Sequence, residues 1–273
     1  MEDFKAALHI IAEGLEELGR DAPADDAQVY NCPLCRDTGY VLRGDRAWPC
    51  ACRSNTLQRG KIAAAGLTAR LQMMDFDSFD LRFYSDYLKD DEGKSYRDIA
   101  ADALQRARTL ADSCAAGKNG RGLLLMGKVG CGKTHLAAAT ANRVVEQGGE
   151  ALFLVVPEFL DQLRFSYRRE NEGLDEAEII SRTYNVPLLI LDDLGAHNYS
   201  EWVCNKLFTI LNHRYNRNLP CVITTNLDLD ELDTKIGRRS TSRIVEMCRI
   251  SNILVPEGQD HRLGTLEIGR AHV

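Results

Sequence analysis

The sequence predicts an α/β protein whose core is a parallel sheet flanked by helices, preceded by a small cysteine-containing module. From residue 121 onward, short apolar runs alternate with helical segments, and this alternation is typical of βα units. One apolar run leads directly into a glycine-rich turn and a further helical segment. Four of the nine cysteines fall between residues 32 and 52, and that clustering predicts the separate module.

Five apolar runs are the predicted strands of the sheet. They are GLLLMG at 122–127, ALFLVV at 151–156, VPLLILDD at 186–193, PCVITTN at 220–226 and NILVP at 252–256. The resulting organisation is a helix and linker over 1–27, the cysteine module over 28–55, a connecting segment over 56–92 and the core over 93–262.

Both ends of the chain carry features of their own. Near the N-terminus, Phe4, Leu8, Ile11 and Leu15 recur at helical spacing and predict an amphipathic helix. At the other end, the residues IGRAHV at 268–273 match one translation of a widely used sequencing adapter. We expect this tail to be foreign to the protein and the natural C-terminus to be missing.

Composition excludes several classes of protein. The 273 residues are 44% apolar and 27% charged, which is ordinary for a soluble globular chain. No apolar run approaches the roughly 20 residues that cross a bilayer, and the acidic N-terminus is unlike a signal peptide, so we expect a cytoplasmic protein. The net charge of -6 argues against non-specific duplex binding, although the basic segment 28–72 is suited to nucleic acid or an acidic partner.

The turn after the first core strand matches the P-loop pattern G-x-x-x-x-G-K-[ST] and opens a helix, which is the context that the motif requires. Its backbone N–H groups are expected to surround phosphates, Lys133 to reach the β- and γ-phosphates, and the Thr134 hydroxyl to bind Mg²⁺. The alternative is a chance glycine turn. The predicted ATP-binding residues, together with the acid of the next motif, are Gly127, Lys128, Val129, Gly130, Cys131, Gly132, Lys133, Thr134, His135 and Asp192.

Two acids end the run VPLLILDD. The first, Asp192, suits the Walker B role of holding Mg²⁺ with Thr134, and Asp193 suits polarisation of the attacking water. Nucleoside kinases use the same loop but need no second acid here, and in another interpretation one acid merely caps the strand. Asn226 ends the following strand, where its amide is expected to contact the γ-phosphate and the water. Together, Lys133, Asp193, Asn226 and a later arginine, Arg243, are the predicted catalytic residues.

Arg243 lies in the sequence IGRRSTSRI, beyond the fourth strand and too far along to reach its own phosphate easily. This position suits an arginine finger presented to a neighbouring subunit, so we expect self-association. For both Arg239 and Arg243, the alternative is a solvated basic turn.

The motifs GKVGCGKTHLA, LLILDDLG, ITTN and RRSTSRI occur in this order and resemble those of DnaC/DnaI-type helicase loaders and related IstB-like transposition ATPases. The resemblance covers about 70–256 and implies an AAA+ core without the usual helical lid. It implies that Asn226 is the sensor 1 residue, Arg243 the finger and Arg262 a sensor 2-like arginine. It also implies that MDFDSFD packs near the adenine, although we favour Phe76 and Phe79 as core anchors.

The cysteine pairs Cys32/Cys35 and Cys50/Cys52 give four thiols, which is the number that structural Zn²⁺ takes in a tetrahedron. The alternative is a redox C-x-x-C, which needs a thioredoxin-like βαβ setting that this segment lacks. His9 is expected on a helix surface. Such a module ahead of the ATPase resembles DnaI-like loaders, whose N-terminal domain binds the replicative helicase.

The segment after ALFLVV interleaves bases with aromatics, which suits single-stranded DNA: arginines follow phosphates and rings stack on bases. The alternative is a solvated helix with Phe159, Leu163 and Tyr167 facing the core. The predicted DNA-contacting residues are Arg164, Phe165, Tyr167 and Arg168.

Three functions remain open from the sequence. The first is an ATP-hydrolysing loader that binds a replicative helicase and single-stranded DNA. The second is a transposition-accessory ATPase that recruits a transposase to duplex DNA. The third is a nucleotide-gated adaptor without turnover, whose zinc module does the binding.

Overall fold

Five parallel strands form the central sheet of the computed structural model, which describes residues 32–43, 46–50, 52, 60–62, 64–168, 176–256 and 260. Side chains at 43, 164–168 and 176–179 lie outside this description, as do the predicted N-terminal helix with His9, Arg262 and the adapter-like tail. The chain divides into two units, residues 1–55 and 56–273. No described helix is both long enough and apolar enough to span a bilayer.

The first unit contains an antiparallel hairpin of β1 (Tyr40–Arg43) and β2 (Arg46–Pro49). The sheet of the second unit has the order β4-β5-β6-β3-β7. Its strands are β3 (Gly122–Met126), β4 (Ala151–Val155), β5 (Leu188–Asp192), β6 (Cys221–Thr225) and β7 (Cys248–Asn252).

Helices precede the first strand of the sheet and connect its later strands. In chain order they are α1 (Ala69–Gln72), α2 (Tyr96–Ala115), α3 (Lys133–Glu146), α4 (Val156–Arg168), α5 (Glu176–Asn185), α6 (Glu201–Asn216), α7 (Leu229–Ile236) and α8 (Arg238–Met247). Local sequence explains several helix starts. Ser95 and Ser200 accept backbone N–H groups at the starts of α2 and α6, and Asp228 forms a capping box with Glu231 at α7.

The sheet separates two hydrophobic cores, because successive side chains of a strand point to opposite faces. Leu123 and Leu125 belong to the core that contains α2 and α3, whereas Leu124 and Met126 belong to the core that contains α4 to α8. The predicted α/β class with a parallel sheet is therefore confirmed. Phe76 and Phe79 lie in the first core, as we favoured.

The last strand was predicted in the wrong place. The apolar run 252–256 leaves the sheet, and the strand is Cys248–Asn252 instead. In this edge strand only Cys248 and Ser251 are buried, and its sequence CRISN is too polar to stand out from its surroundings. Ile253 is buried because the chain continues from β7 past the P-loop, where the Ile253 N–H donates to the Met126 carbonyl at 2.8 Å.

Candidate functional site

The P-loop lies between the carboxyl end of β3 and the first turn of α3. Gly127 has a φ of 141°, and a Cβ there would lie 2.3 Å from the Ile253 carbonyl oxygen. Gly132 has a φ of 94°, and a Cβ there would lie 2.8 Å from the Phe79 ring and the Tyr84 hydroxyl. Both positions require glycine for the left-handed backbone and for the close packing of the neighbouring chain.

The Lys133 side chain is 5% exposed and points into the loop that precedes it. Its Nζ donates to the carbonyl oxygens of Gly127 and Lys128, both at 2.8 Å. The loop therefore curls around this ammonium group. An ammonium held inside a glycine-rich loop at a helix N-terminus is suited to compensating phosphate charge.

Asp192 ends β5 beside the P-loop helix, and it is buried. The Thr134 hydroxyl donates to its Oδ1 and Oδ2 at 3.1 and 3.2 Å, and the Thr224 hydroxyl donates to Oδ1 at 2.7 Å. Burial raises the pKa of Asp192, and the nearby charge of Asp193 raises it further, whereas these hydroxyls and Lys133 lower it. A buried carboxylate next to a hydroxyl is a set of hard oxygen donors that fits Mg²⁺.

Asp193 follows the strand end with a left-handed φ of 59°, which Asp tolerates better than most residues. Its backbone N–H donates to the Thr224 hydroxyl at 2.9 Å. The Thr224 hydroxyl therefore contacts both residues: it donates to the Asp192 carboxylate and accepts from the Asp193 backbone N–H. Asn226 lies just beyond the carboxyl end of β6, the strand next to β5, and it is exposed.

An aromatic group lies beside the loop. The Tyr84 hydroxyl donates to the Cys131 carbonyl at 2.8 Å, and the Phe79 ring lies 5.6 Å from the Tyr84 ring and 5.5 Å from the His135 ring. The His135 Nε2 contacts the Asp75 carbonyl at 2.7 Å. These contacts attach the segment from Asp75 to Tyr84 to the P-loop.

Arg239 and Arg243 lie one turn apart on α8, rather than in a turn. The Arg239 guanidinium lies 4.3 Å from the ring centroid of Phe208, and that of Arg243 lies 4.5 Å from the ring centroid of Tyr215. Both rings belong to α6. Neither arginine is held by a described contact to its own P-loop.

The four thiols of the cysteine module meet at the base of the hairpin, with their sulfur atoms within 4.8 Å of one another. The Sγ atoms of Cys32 and Cys50 are 3.8 Å apart, and those of Cys35 and Cys52 are 3.2 Å apart. A Zn–S bond of about 2.3 Å in a tetrahedron gives S···S distances of about 3.8 Å. The cluster therefore fits zinc.

The titration of this cluster is consistent with a cation site. The Cys52 thiol lowers the pKa of Cys35 to about 7, and the same hydrogen bond raises the pKa of Cys52. Ionisation of Cys35 is thus favoured near neutral pH, whereas Cys52 stays protonated unless a cation compensates its charge. The antiparallel hairpin also lacks the βαβ setting that a redox C-x-x-C needs.

Residues 89–253 match the family model described as IstB-like ATP binding protein. The chain belongs to this family. The resemblance to its DnaC/DnaI-type members is therefore confirmed. The replicative helicase loader DnaI of Bacillus subtilis is 38% identical over 114 residues, 41% of this chain and 35% of DnaI. The loader DnaC of Escherichia coli is 27% identical over 152 residues, 56% of this chain and 59% of DnaC. These two alignments span about a third and three fifths of the relatives' lengths.

A longer match and a solved structure extend the comparison. The phage-like element PBSX protein XkdC of Bacillus subtilis is 26% identical over 251 residues, 88% of each chain. The crystal structure of DnaI aligns with a TM-score of 0.56 at 27% identity, covering 68% of this chain and 94% of that one. DnaA bound to AMPPCP, at 16% identity and a TM-score of 0.54, shares the fold alone.

In this IstB-like protein the structure brings together Lys133, Thr134, Asp192 and Asp193, which are separated by up to 60 positions in the sequence. Thr224 was missed as a site residue, although its place before Asn226 at the end of β6 was a usable signal. Tyr84 was also missed, because nothing in its local sequence indicates a bond to the P-loop. In α4, Phe159 and Leu163 are buried, as the core alternative expects, and the side chains of the DNA candidates at 164–168 lie outside the described residues.

Proposed function

We propose that this IstB-like protein is an ATP-hydrolysing loader that binds a replicative helicase and single-stranded DNA in the cytoplasm. The observation that carries the proposal is the hydrogen-bonded group of Thr134, Asp192 and Thr224 beside the Lys133 loop, with Asp193 attached to the same threonine. This arrangement provides both a cation site and a second carboxylate. A protein that only binds nucleotide has no need of the second acid.

In the proposed reaction, Lys133 leaves the loop carbonyls and binds the phosphates, while Thr134 and Asp192 hold Mg²⁺. When bound, Mg²⁺ neutralises charge on the phosphate oxygens. Asp193 accepts a hydrogen bond from water and orients it, and Asn226 binds at the open end of the site. Arg243 of one subunit contributes positive charge to the nucleotide of the next subunit.

The cysteine module is the proposed docking part for the helicase, with zinc fixing its hairpin. The names of DnaI and DnaC support the helicase as partner. Single-stranded DNA is proposed to bind along α4 through Arg164, Phe165, Tyr167 and Arg168. A transposition-accessory ATPase that binds duplex DNA with a transposase is the second candidate, since the family description specifies ATP binding and no partner.

Nucleotide assays test the ATPase part. Lys133→Ala should abolish ATP binding, because the loop loses its only buried ammonium among the described residues. Asp193→Asn should bind ATP normally and release phosphate at least about 100-fold more slowly, since general-base catalysis typically contributes 10²–10⁴-fold. The matched control is Lys118→Ala, which changes an exposed lysine just after α2. Normal phosphate release by Asp193→Asn would contradict the assignment.

Partner assays separate the candidate functions. Immobilised protein should retain the replicative helicase encoded in the same genome, and loss of zinc should abolish this retention. Retention of a transposase on duplex DNA instead would favour the second candidate. Helicase retention without any phosphate release, with DNA present, would identify a nucleotide-gated adaptor.

A further inference from the structure

The Arg243 guanidinium is held on three sides by its own subunit. Its Nε donates to Asn212 Oδ1 at 3.2 Å, and its Nη1 lies 3.3 Å from Glu246 Oε2. The Tyr215 ring lies beneath it, 4.5 Å away. The arginine side chain is 33% exposed, so the group is neither buried in the core nor loose in solvent.

The supporting residues also hold one another. Tyr215 hydrogen-bonds the Glu246 carboxylate, which raises the pKa of the tyrosine and lowers that of the glutamate. Ser242 adds a hydrogen bond to Glu246 Oε1 at 3.2 Å. The ring and carboxylate are therefore fixed to each other as well as to the arginine.

This support leaves one end of the guanidinium available. An arginine has five N–H donors in a planar fork. Asn212 and Glu246 engage Nε and Nη1, and no acceptor for Nη2 occurs among the residues that the structure describes. A neighbouring subunit's phosphate can approach Nη2 without displacing the ring or Asn212.

We infer that Asn212 and Tyr215 are positioning residues that hold Arg243 in the conformation in which it reaches the neighbouring subunit's nucleotide. The inference rests on the proposed trans role of Arg243. A flexible arginine must be ordered before it acts, and that ordering costs the equivalent of about ten- to thirtyfold in rate. Surface contacts of this kind add little to stability, so preorganisation is the effect to measure.

The test uses the double variant Asn212→Ala/Tyr215→Leu in the full chain. It should bind ATP with unchanged affinity, because the P-loop is intact, and lower kcat about tenfold in assembled protein. Asn212→Asp/Tyr215→Phe keeps the acceptor and the ring and should restore most of kcat. Trp202→Leu removes another ring of α6, which lies under Lys206, and should leave kcat unchanged.

Mixing experiments assign the defect to the subunit that donates the finger. Mixed with Lys133→Ala, the double variant should regain activity, because the partner supplies a supported Arg243 to its intact P-loop. Mixed with Arg243→Ala, it should regain none. A structural defect in the variant's own nucleotide site would not follow this pattern. Assembly is checked by sizing in each mixture.

The possible failures are distinguishable. Wild-type kcat in the double variant would overturn the inference. The inference would also be overturned if mixing with Lys133→Ala restored activity to Arg243→Ala but not to the double variant. If Lys133→Ala and Arg243→Ala do not complement each other, the trans finger itself fails, and the inference fails with it. Should the double variant unfold, Asn212→Ala alone is carried through the same mixtures, and the same outcomes decide.

Discussion

Arg214 is a fully buried arginine of α6 whose removal should destabilise the core without affecting the nucleotide site. Its guanidinium makes five hydrogen bonds, four of them to backbone carbonyl oxygens: those of Thr183 at 2.9 Å, Val186 at 2.8 Å, Pro187 at 3.3 Å and Pro220 at 2.7 Å. The fifth joins Nε to the Cys221 sulfur at 3.1 Å. One side chain thus connects the end of α5 to the amino ends of β5 and β6.

The expected loss in the free energy of unfolding follows from the carbonyl acceptors that would lose the arginine donor in Arg214→Met. The bonds to the Thr183 and Pro220 carbonyls are buried. Thr183 loses its arginine donor at about 1–3 kcal/mol, whereas Pro220 loses the shorter of two bonds and keeps the Leu189 N–H at 3.4 Å. The bonds to the Val186 and Pro187 carbonyls are only partly buried, and losing a desolvated charge offsets part of the penalty. The free energy of unfolding should therefore fall by about 2–4 kcal/mol, which lowers Tm by about 5–15 °C in a unit of this size.

The assay needs a signal from the second unit alone. The chain has two tryptophans, so Trp48→Phe leaves Trp202 of α6 as the single reporter. Thermal unfolding followed by its fluorescence should show the lowered Tm for Arg214→Met and a smaller loss for Arg214→Lys, which keeps three donors. Arg217→Met, an exposed arginine just after α6, should stay within about 0.5 kcal/mol.

The affinity of the folded protein for ATP should stay unchanged, because Arg214 lies at the amino ends of the strands and the P-loop follows a carboxyl end. A Tm decrease of less than about 2 °C in Arg214→Met would refute the reasoning from unsatisfied carbonyls. A large loss of ATP affinity at temperatures where the variant is folded would refute the separation of this contact from the site.

Two further predictions concern the cation sites. Asp192→Asn should raise the Tm of the nucleotide-free protein while stopping hydrolysis. Because the pKa of Asp192 is raised in the folded state, the wild type loses stability as pH rises from the unfolded-state pKa to the folded-state pKa. The gain in Tm from Asp192→Asn should therefore appear at neutral pH and vanish in acid. A gain in Tm that does not depend on pH would argue against burial as its cause. The double variant Cys32→Ser/Cys52→Ser should contain no zinc in metal analysis and should still bind ATP. The control Cys204→Ser changes a cysteine outside the cluster and should keep the single zinc. Zinc retained in the double variant would disprove the four-cysteine site.

The sequence predicts those parts of the fold whose signal is local. The run LLIL is buried on both faces of the sheet, so it reads as continuous apolar sequence, and the P-loop carries its own glycine pattern. The edge strand Cys248–Asn252 has no such signal, since one side of it meets solvent. The segment from Asp75 to Tyr84 shows the same limit, because its contacts to the P-loop join residues far apart in sequence.

Contacts made across the sheet explain why the candidate site was found only in part. The two acids of β5 were recognisable because their chemistry is unusual at the end of an apolar strand. Thr224 was not, because threonine is common in strands, and its two hydrogen bonds exist only once β6 lies beside β5. Its position shows how the site depends on strand order. Without Thr224 beside β5, Asp192 would keep only the Thr134 hydroxyl, and the Asp193 N–H would lose its acceptor. The parallel pairing of β5 with β6 therefore belongs to the nucleotide site as much as the P-loop does.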